Sequence, residues 1–231
     1  MIAPSPPAPM DVFDEDGFAL LPGILSEDAC AWLAAQVTPA AGGSGGTRAL
    51  LATPWCAELA RMLRGHPDLA PYIPAGHVAV QCTYFEKTGA RNWLVPFHQD
   101  LSIPVAARVD APALRGWSRK EEVDFVQAPP ALLAQMLAVR LHLDECGSED
   151  GPLRVLAGSH RHGLVDDAGA AALRAAGREL ACSAPLGSAL VLRPLLLHAS
   201  SKSAGQGRRR VLHLVFGPPA LPLGLRWHTA L

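Results

Sequence analysis

MLAVRLHLDE, residues 136–145, alternates without a break: Val139, Leu141 and Leu143 fall on one parity, Arg140, His142 and Asp144 on the other. A two-residue period belongs to a β-strand, where successive side chains point to opposite faces. One face of this strand is apolar and the other polar, and the polar one faces either inward or outward. Similar short runs surround it: HVAVQCTYFEK (77–87) and LVPFHQD (94–100) before, and LRVLAG (153–158), ELACSA (179–184), SALVLR (188–193), LLLHAS (195–200) and RRVLHLVFG (209–217) after. Each is bounded by glycine, proline or serine, and Gly151-Pro152 marks a turn.

The N-terminal part reads differently. Ser26 is a candidate N-cap with Glu27 and Asp28 in the first turn, where the helix dipole favours them. Cys30, Leu33, Ala34 and Val37 then share one helical face. A second helix starts at Thr53-Pro54, carries Cys56, Leu59, Ala60 and Leu63 on its apolar face, and stops at Gly65. AGGSGG (41–46) is a loop by composition, and a later helix fills 167–176, capped by Asp166 or Asp167 and ended by Gly177. Helices followed by many short strands predict a two-sheet, barrel-like sandwich with helices packed outside.

The 231 residues suffice for one sizeable core, with 49% hydrophobic and 18% charged residues and a net charge of −1. Residues 1–10, proline-rich, are expected to be a flexible lead-in and 11–231 a single domain. A near-neutral chain has no global field to recruit nucleic acid, and the run Arg208-Arg209-Arg210 reads as a solvated turn. No apolar run reaches the ~20 residues needed to span a bilayer. The five cysteines are scattered without a C-x-x-C pair, which suits reduced thiols and a cytoplasmic protein.

The stretch VPFHQDLSIPV (95–105) puts His98 and Asp100 two apart in a β-prone segment. They are either a solvent-facing pair or two ligands of one metal. A non-haem iron site needs two histidines and a carboxylate, so a second histidine must come from a distant strand. Of nine histidines, His198 stands out, ending the apolar strand LVLRPLLLH before ASSKS. A histidine at a strand end can point into a cavity. Arg209, in the next strand, carries the planar fork suited to a carboxylate.

HQD (98–100), His198 with Ser200 in HAS, Arg209, LDECGSEDGPLRVLAGSHRHG (143–163) and GFALLPGILSEDACAWL (17–33) together resemble the phytanoyl-CoA dioxygenase family of iron(II)- and 2-oxoglutarate-dependent oxygenases. The resemblance runs from Gly17 to Phe216. It implies a mainly β, cupin-like jelly roll (double-stranded β-helix) with flanking helices, and a metal held between the sheets. It implies iron(II) on His98, Asp100 and His198, and 2-oxoglutarate held by Arg209 and Ser200. Lys87 resembles the lysine that some members use for the co-substrate, against the alternative of a solvated strand end. Gln81 would lie near the substrate. It further implies dioxygen as oxidant, release of succinate and CO2, and hydroxylation of a small molecule, because Asp100 occupies the position that related halogenases leave as alanine or glycine.

Arg140 stands where many members have tryptophan. It either faces the cavity, where an acidic substrate group could meet it, or pairs with Asp144 or Glu145. Ala157 replaces the usual proline before Gly158-Ser159-His160. By strand alternation His142 and His213 could point inwards, and both read as satisfied core histidines. Segment 101–135, read as a long loop inserted after HQD, is the expected substrate cover, and Trp93 and Trp117 are either pocket-lining or core residues. A non-catalytic metal- or ligand-binding jelly roll is the alternative function; neither the substrate nor the oligomeric state is legible.

Overall fold

The computed structural model describes residues 9–38, 46–205 and 207–231. All of residues 1–8, and AGGSGG apart from Gly46, lie outside the described residues. In chain order come α1 (Pro9–Asp16), β1 (Phe18–Leu21), α2 (Glu27–Gln36), α3 (Pro54–Gly65), β2 (Val78–Lys87), β3 (Val95–His98) and β4 (Ser102–Val105). There follow β5 (Arg115–Lys120), β6 (Val123–Gln127), α4 (Pro130–Leu133), β7 (Leu137–His142) and β8 (Leu153–Leu156). The chain ends with α5 (Asp167–Ala176), β9 (Glu179–Cys182), β10 (Ala189–Leu192), β11 (His198–Ser200) and β12 (Arg209–Gly217).

Helices α2 and α5 form where their caps place them. The Ser26 hydroxyl accepts the Ala29 N–H at the start of α2. The Asp166 carboxylate accepts the Gly169 N–H at the start of α5. At α3 the cap fails in detail: the Thr53 hydroxyl turns back to donate to the Leu50 carbonyl at 2.7 Å, and the helix enters through Pro54 instead. Helix α1 begins at Pro9, inside the expected lead-in of residues 1–10. What anchors α1 is Phe13, fully buried and edge-on to Tyr72 with ring centroids 5.1 Å apart.

The strands make a five-stranded sheet in the order β1-β10-β7-β12-β2, and a four-stranded sheet in the order β3-β11-β8-β9. Neighbours run antiparallel throughout both. Strand alternation sorts the larger sheet's side chains. Val139, Leu141, Leu212, Leu214 and Phe216 face outward and pack with Cys30, Leu33, Leu59 and Leu63 of α2 and α3. Each fully buried leucine or phenylalanine there contributes roughly 2 kcal/mol. Ala138, Leu190, Leu192 and Val215 face inward, meeting Leu153, Val155 and Leu196 of the smaller sheet's side. The polar parity of β7 is therefore the inner one. This is the jelly roll that the resemblance implies, with helices on the outside of its larger sheet.

Two readings need correction. LVLRPLLLH is not one strand: β10 ends at Leu192, a turn closed by Leu196 N–H to Arg193 carbonyl (3.0 Å) follows, and His198 opens β11 in the opposite sheet. Pro194, which cannot donate to a ladder, sits where the chain crosses between the sheets. Segment 101–135 is not irregular either. It holds a three-stranded sheet, β4-β6-β5, and α4. The β5–β6 hairpin turns on Glu121 and Glu122, both at positive φ (49° and 62°), a geometry ordinarily signalled by Asn-Gly.

Candidate metal centre

His98 and His198 are register partners on adjacent strands, with ring centroids 4.2 Å apart. Asp100 lies two residues beyond β3, its N–H held by the Pro194 carbonyl at 2.9 Å. Its carboxylate oxygens stand 3.7 Å from His98 Nε2 and 3.6 Å from His198 Nε2. These separations are too long for hydrogen bonds, yet two donors each ~2.1 Å from one ion stand no more than ~4.2 Å apart. Among the described residues, these three form the group of metal-ligating side chains whose donor atoms converge.

Backbone carbonyls set both tautomers. His98 Nδ1 lies 2.9 Å from the Pro96 carbonyl and His198 Nδ1 lies 2.8 Å from the Leu196 carbonyl. A carbonyl only accepts, so each Nδ1 carries the proton and each Nε2 lone pair points to the shared centre. Burial brings His198 down to about 4, which keeps it neutral. Burial also pulls on His98, but the Asp100 carboxylate beside it raises it above its ordinary value. Burial would raise Asp100, yet His198, His98 and His213 hold its carboxyl well below the usual range. The Asp100 side chain is 39% exposed and lines a partly open cavity. Two imidazoles and an ionised carboxylate on one side of an empty volume match the donor set that a non-haem iron site with open positions uses.

The cavity, about 180 Å3, lies between the sheets and is also lined by Gln81, Lys87, Arg140, Ser200 and Arg209. Lys87 and Arg209 are cross-strand partners. Lys87 Nζ donates to Ser200 Oγ at 2.8 Å and to the Ser201 carbonyl. Arg209 Nη1 donates to the Gly151 carbonyl at 2.5 Å, and its Nε has no partner. Burial, then Arg209 and Arg140, bring the Lys87 amine down to about 7. An orphaned guanidinium N–H, an ammonium and a hydroxyl thus converge at one end of the cavity, a corner built for a carboxylate. Arg140 also faces the cavity, whereas Asp144 is taken by Arg210 at 2.6 and 2.8 Å.

Trp93 lines the cavity, but Trp117 does not: it lies under the Arg108 guanidinium, 5.6 Å from it, on the separate three-stranded sheet. His213 departs from its reading as a core residue. It lines the cavity with Nε2 3.8 Å from Asp100. Arg140 Nη1, 3.3 Å from His213 Nδ1, can only donate, so Nδ1 accepts and Nε2–H faces the carboxylate. His213 therefore offers Asp100 an N–H rather than offering a metal a lone pair. His142 is buried but not satisfied, since neither ring nitrogen has a partner; burial, then Arg140 and Arg209, push it down to about 3. The arginine run does not act as a patch: Arg208 pairs with Glu86, Arg209 is buried, and Arg210 pairs with Asp144.

Sequence reading missed the residues that brace the candidate ligands. Gln99, between His98 and Asp100, donates to the Gly163 and Leu195 carbonyls at 2.7 Å each and accepts from Val165 N–H at 3.1 Å. Ser159 Oγ accepts the Leu197 N–H next to His198 at 2.9 Å. Their signal was the Gly-Ser-His-x-x-Gly stretch, whose ends these bonds reach. Gly151 was read only as a turn. It sits at φ +63°, and an added Cβ would lie 2.5 Å from the Ser201 carbonyl. Gly151→Ala is expected to cost about 2 kcal/mol or more, from the left-handed backbone and the displaced Ser201. Urea denaturation measures this, and an unchanged midpoint would show that the segment gives way freely.

Solved structures share the fold. EctD from S. alaskensis, with 2-oxoglutarate and 5-hydroxyectoine, is 21% identical over 90% of this chain and 74% of its own, with a TM-score of 0.66. HygX from Streptomyces hygroscopicus, with iron bound, is 18% identical over 90% and 85%, at 0.60. SnoN, a non-heme alpha ketoglutarate dependent epimerase from nogalamycin biosynthesis, is 14% identical over 90% and 80%, at 0.63. No curated protein matches the chain. The family model described as Phytanoyl-CoA dioxygenase (PhyH) matches residues 13–211, so the chain with this cavity belongs to the phytanoyl-CoA dioxygenase family.

Proposed function

We propose that this protein is an iron(II)- and 2-oxoglutarate-dependent dioxygenase that hydroxylates a small molecule. The observation that carries the reading is one cavity holding both the His98-Asp100-His198 triad and the Arg209-Ser200-Lys87 corner. His98 and His198 would bind iron through Nε2 and Asp100 through its carboxylate. Iron so held, with 2-oxoglutarate and dioxygen, supplies the oxidising chemistry, and 2-oxoglutarate leaves as succinate and CO2. The chain's own residues do the rest. Arg209 and Ser200 orient the distal carboxylate, Lys87 adds charge beside them, and Gln81 with Arg140 faces the remaining space. Ile103 and Leu133, from the segment 101–135 proposed as the substrate cover, help to keep water out. The five cysteines, all free and buried, suit a reducing compartment such as the cytoplasm.

Anaerobic titration with iron(II) and 2-oxoglutarate tests the assignment. The chelate should give a weak visible charge-transfer band, and oxygen should then yield succinate. Absence of any band from the wild type sinks the reading. Because SnoN is an epimerase on the same fold, product mass decides the outcome: hydroxylation adds one oxygen, whereas epimerisation leaves the mass unchanged.

The Lys87 amine supplies a pH signature. It is protonated below about pH 7 in the free protein, and a bound carboxylate raises that value. Affinity for 2-oxoglutarate is therefore highest below about 7 and falls as pH climbs past it, by at most about tenfold per pH unit. Lys87→Met should flatten the profile. A wild-type profile already flat across that range would remove Lys87 from the co-substrate site.

A further inference from the structure

The wall of the cavity carries three cations, Lys87, Arg140 and Arg209, against a single carboxylate, Asp100. None of the three cations is in an ion pair with a carboxylate among the described residues. Unpaired buried charge is costly, so a fold that keeps it does so for ligands that neutralise it. Iron(II) is a dication and 2-oxoglutarate a dianion, so their joint binding leaves the excess unchanged. Two positive charges remain, and counting Lys87 as neutral still leaves one.

Arg140 is where that excess is least answered. It is 7% exposed, its Nε has no hydrogen-bond partner, and Nη1 meets only the neutral His213 ring at 3.3 Å. The Phe85 ring stacks 5.6 Å from the guanidinium carbon and steadies it. Along the strands Arg140 is set apart from the co-substrate corner, while its charge still reaches Lys87 and Arg209. On β12 its partner is His213, four residues from Arg209 and so about 13 Å along the strand. Beyond it the wall turns apolar, with Ala138, Val215, Ile103, Leu133 and Met136.

We infer that the primary substrate is a small organic anion, whose carboxylate or phosphate is held by Arg140 while its apolar body lies against Ile103, Leu133 and Met136. This rests on the oxygenase reading above and names the substrate class for the same site.

The test uses protein loaded anaerobically with iron(II) and saturating 2-oxoglutarate. Isobutyrate is titrated against its uncharged isostere isobutyramide by calorimetry, and the charge-transfer band is followed in parallel. The wild type should bind isobutyrate at least tenfold more tightly than isobutyramide. Arg140→Gln should erase that preference while changing 2-oxoglutarate affinity less than threefold, and Arg140→Lys should keep part of it. The inference is overturned by a wild type without the preference, or by a preference that survives in Arg140→Gln. It is also overturned if isobutyrate competes with 2-oxoglutarate, or if Arg140→Gln weakens 2-oxoglutarate tenfold, since the cation would then serve the co-substrate. Should Arg140→Gln fail to fold, the wild-type comparison and Arg140→Lys still decide. A wild type with no charge-transfer band refutes the oxygenase reading and this inference with it; a normal band without anion preference refutes the inference alone.

Discussion

Asp100→Ala is expected to abolish iron(II) binding at micromolar metal and all succinate formation, and His198→Ala should match it. Asp100 supplies the only negative charge among the three donors and stands 3.6–3.7 Å from both imidazole Nε2 atoms. Without it, two neutral rings face a dication in a cavity already crowded with cations. Groups that merely orient ligands are worth about 10–100-fold in metal affinity. Losing the charged ligand itself should therefore cost more than about 100-fold. His213→Ala is the informative companion. His213 turns an N–H toward Asp100, so its loss should fall within the smaller, orienting range. Calorimetric titration with iron(II) under argon gives the affinities, and the melting temperature of the metal-free variants checks folding. An Asp100→Ala protein that binds iron as tightly as the wild type would end the metal assignment.

Arg209→Ala should leave iron(II) binding intact and weaken 2-oxoglutarate by about 30-fold or more. Removing one partner of a buried, charge-assisted pair costs ~2–5 kcal/mol, which is roughly 30-fold to several thousandfold. The lower end is expected here, because Lys87 and Ser200 stay beside the vacated position. Lys87, moreover, loses the guanidinium that helps to hold its amine down to about 7, so it becomes more fully charged. Arg209→Lys should recover little, since one ammonium cannot both reach the Gly151 carbonyl and fork onto a carboxylate. Ser200→Ala should cost only severalfold, the worth of a hydroxyl hydrogen bond. The KM for 2-oxoglutarate, read beside the charge-transfer titration, separates these outcomes; an unchanged KM in Arg209→Ala would place the co-substrate elsewhere.

How much could be read in advance varies with the range of the interactions involved. The Ser26 and Asp166 caps were legible because donor and acceptor are three residues apart. The strand at 137–142 was legible because alternation is a property of consecutive residues. The Glu121-Glu122 hairpin was not, since neither residue favours positive φ and only the β4-β6-β5 pairing forces it there. Trp117 stayed open between pocket and core for a related reason, because its sheet could not be foreseen; it packs against the core. For His213, parity said which side of β12 it occupies but not that Asp100, from another sheet, would be opposite.

Local order along the chain was enough to specify most strands, the long helices, the exclusion of a membrane-spanning apolar run, and, through motifs in their right order, the family. Tertiary structure alone decided that the polar face of β7 looks inward, that the chain crosses sheets at Pro194, and that Gln99, Ser159 and Gly151 brace the site. It also decided that His98 and His198, a hundred positions apart, become neighbours. The reason is that periodicity and caps report forces acting within a few residues. Which faces meet depends on burying the larger sheet's apolar side under α2 and α3, a balance struck by the whole chain at once.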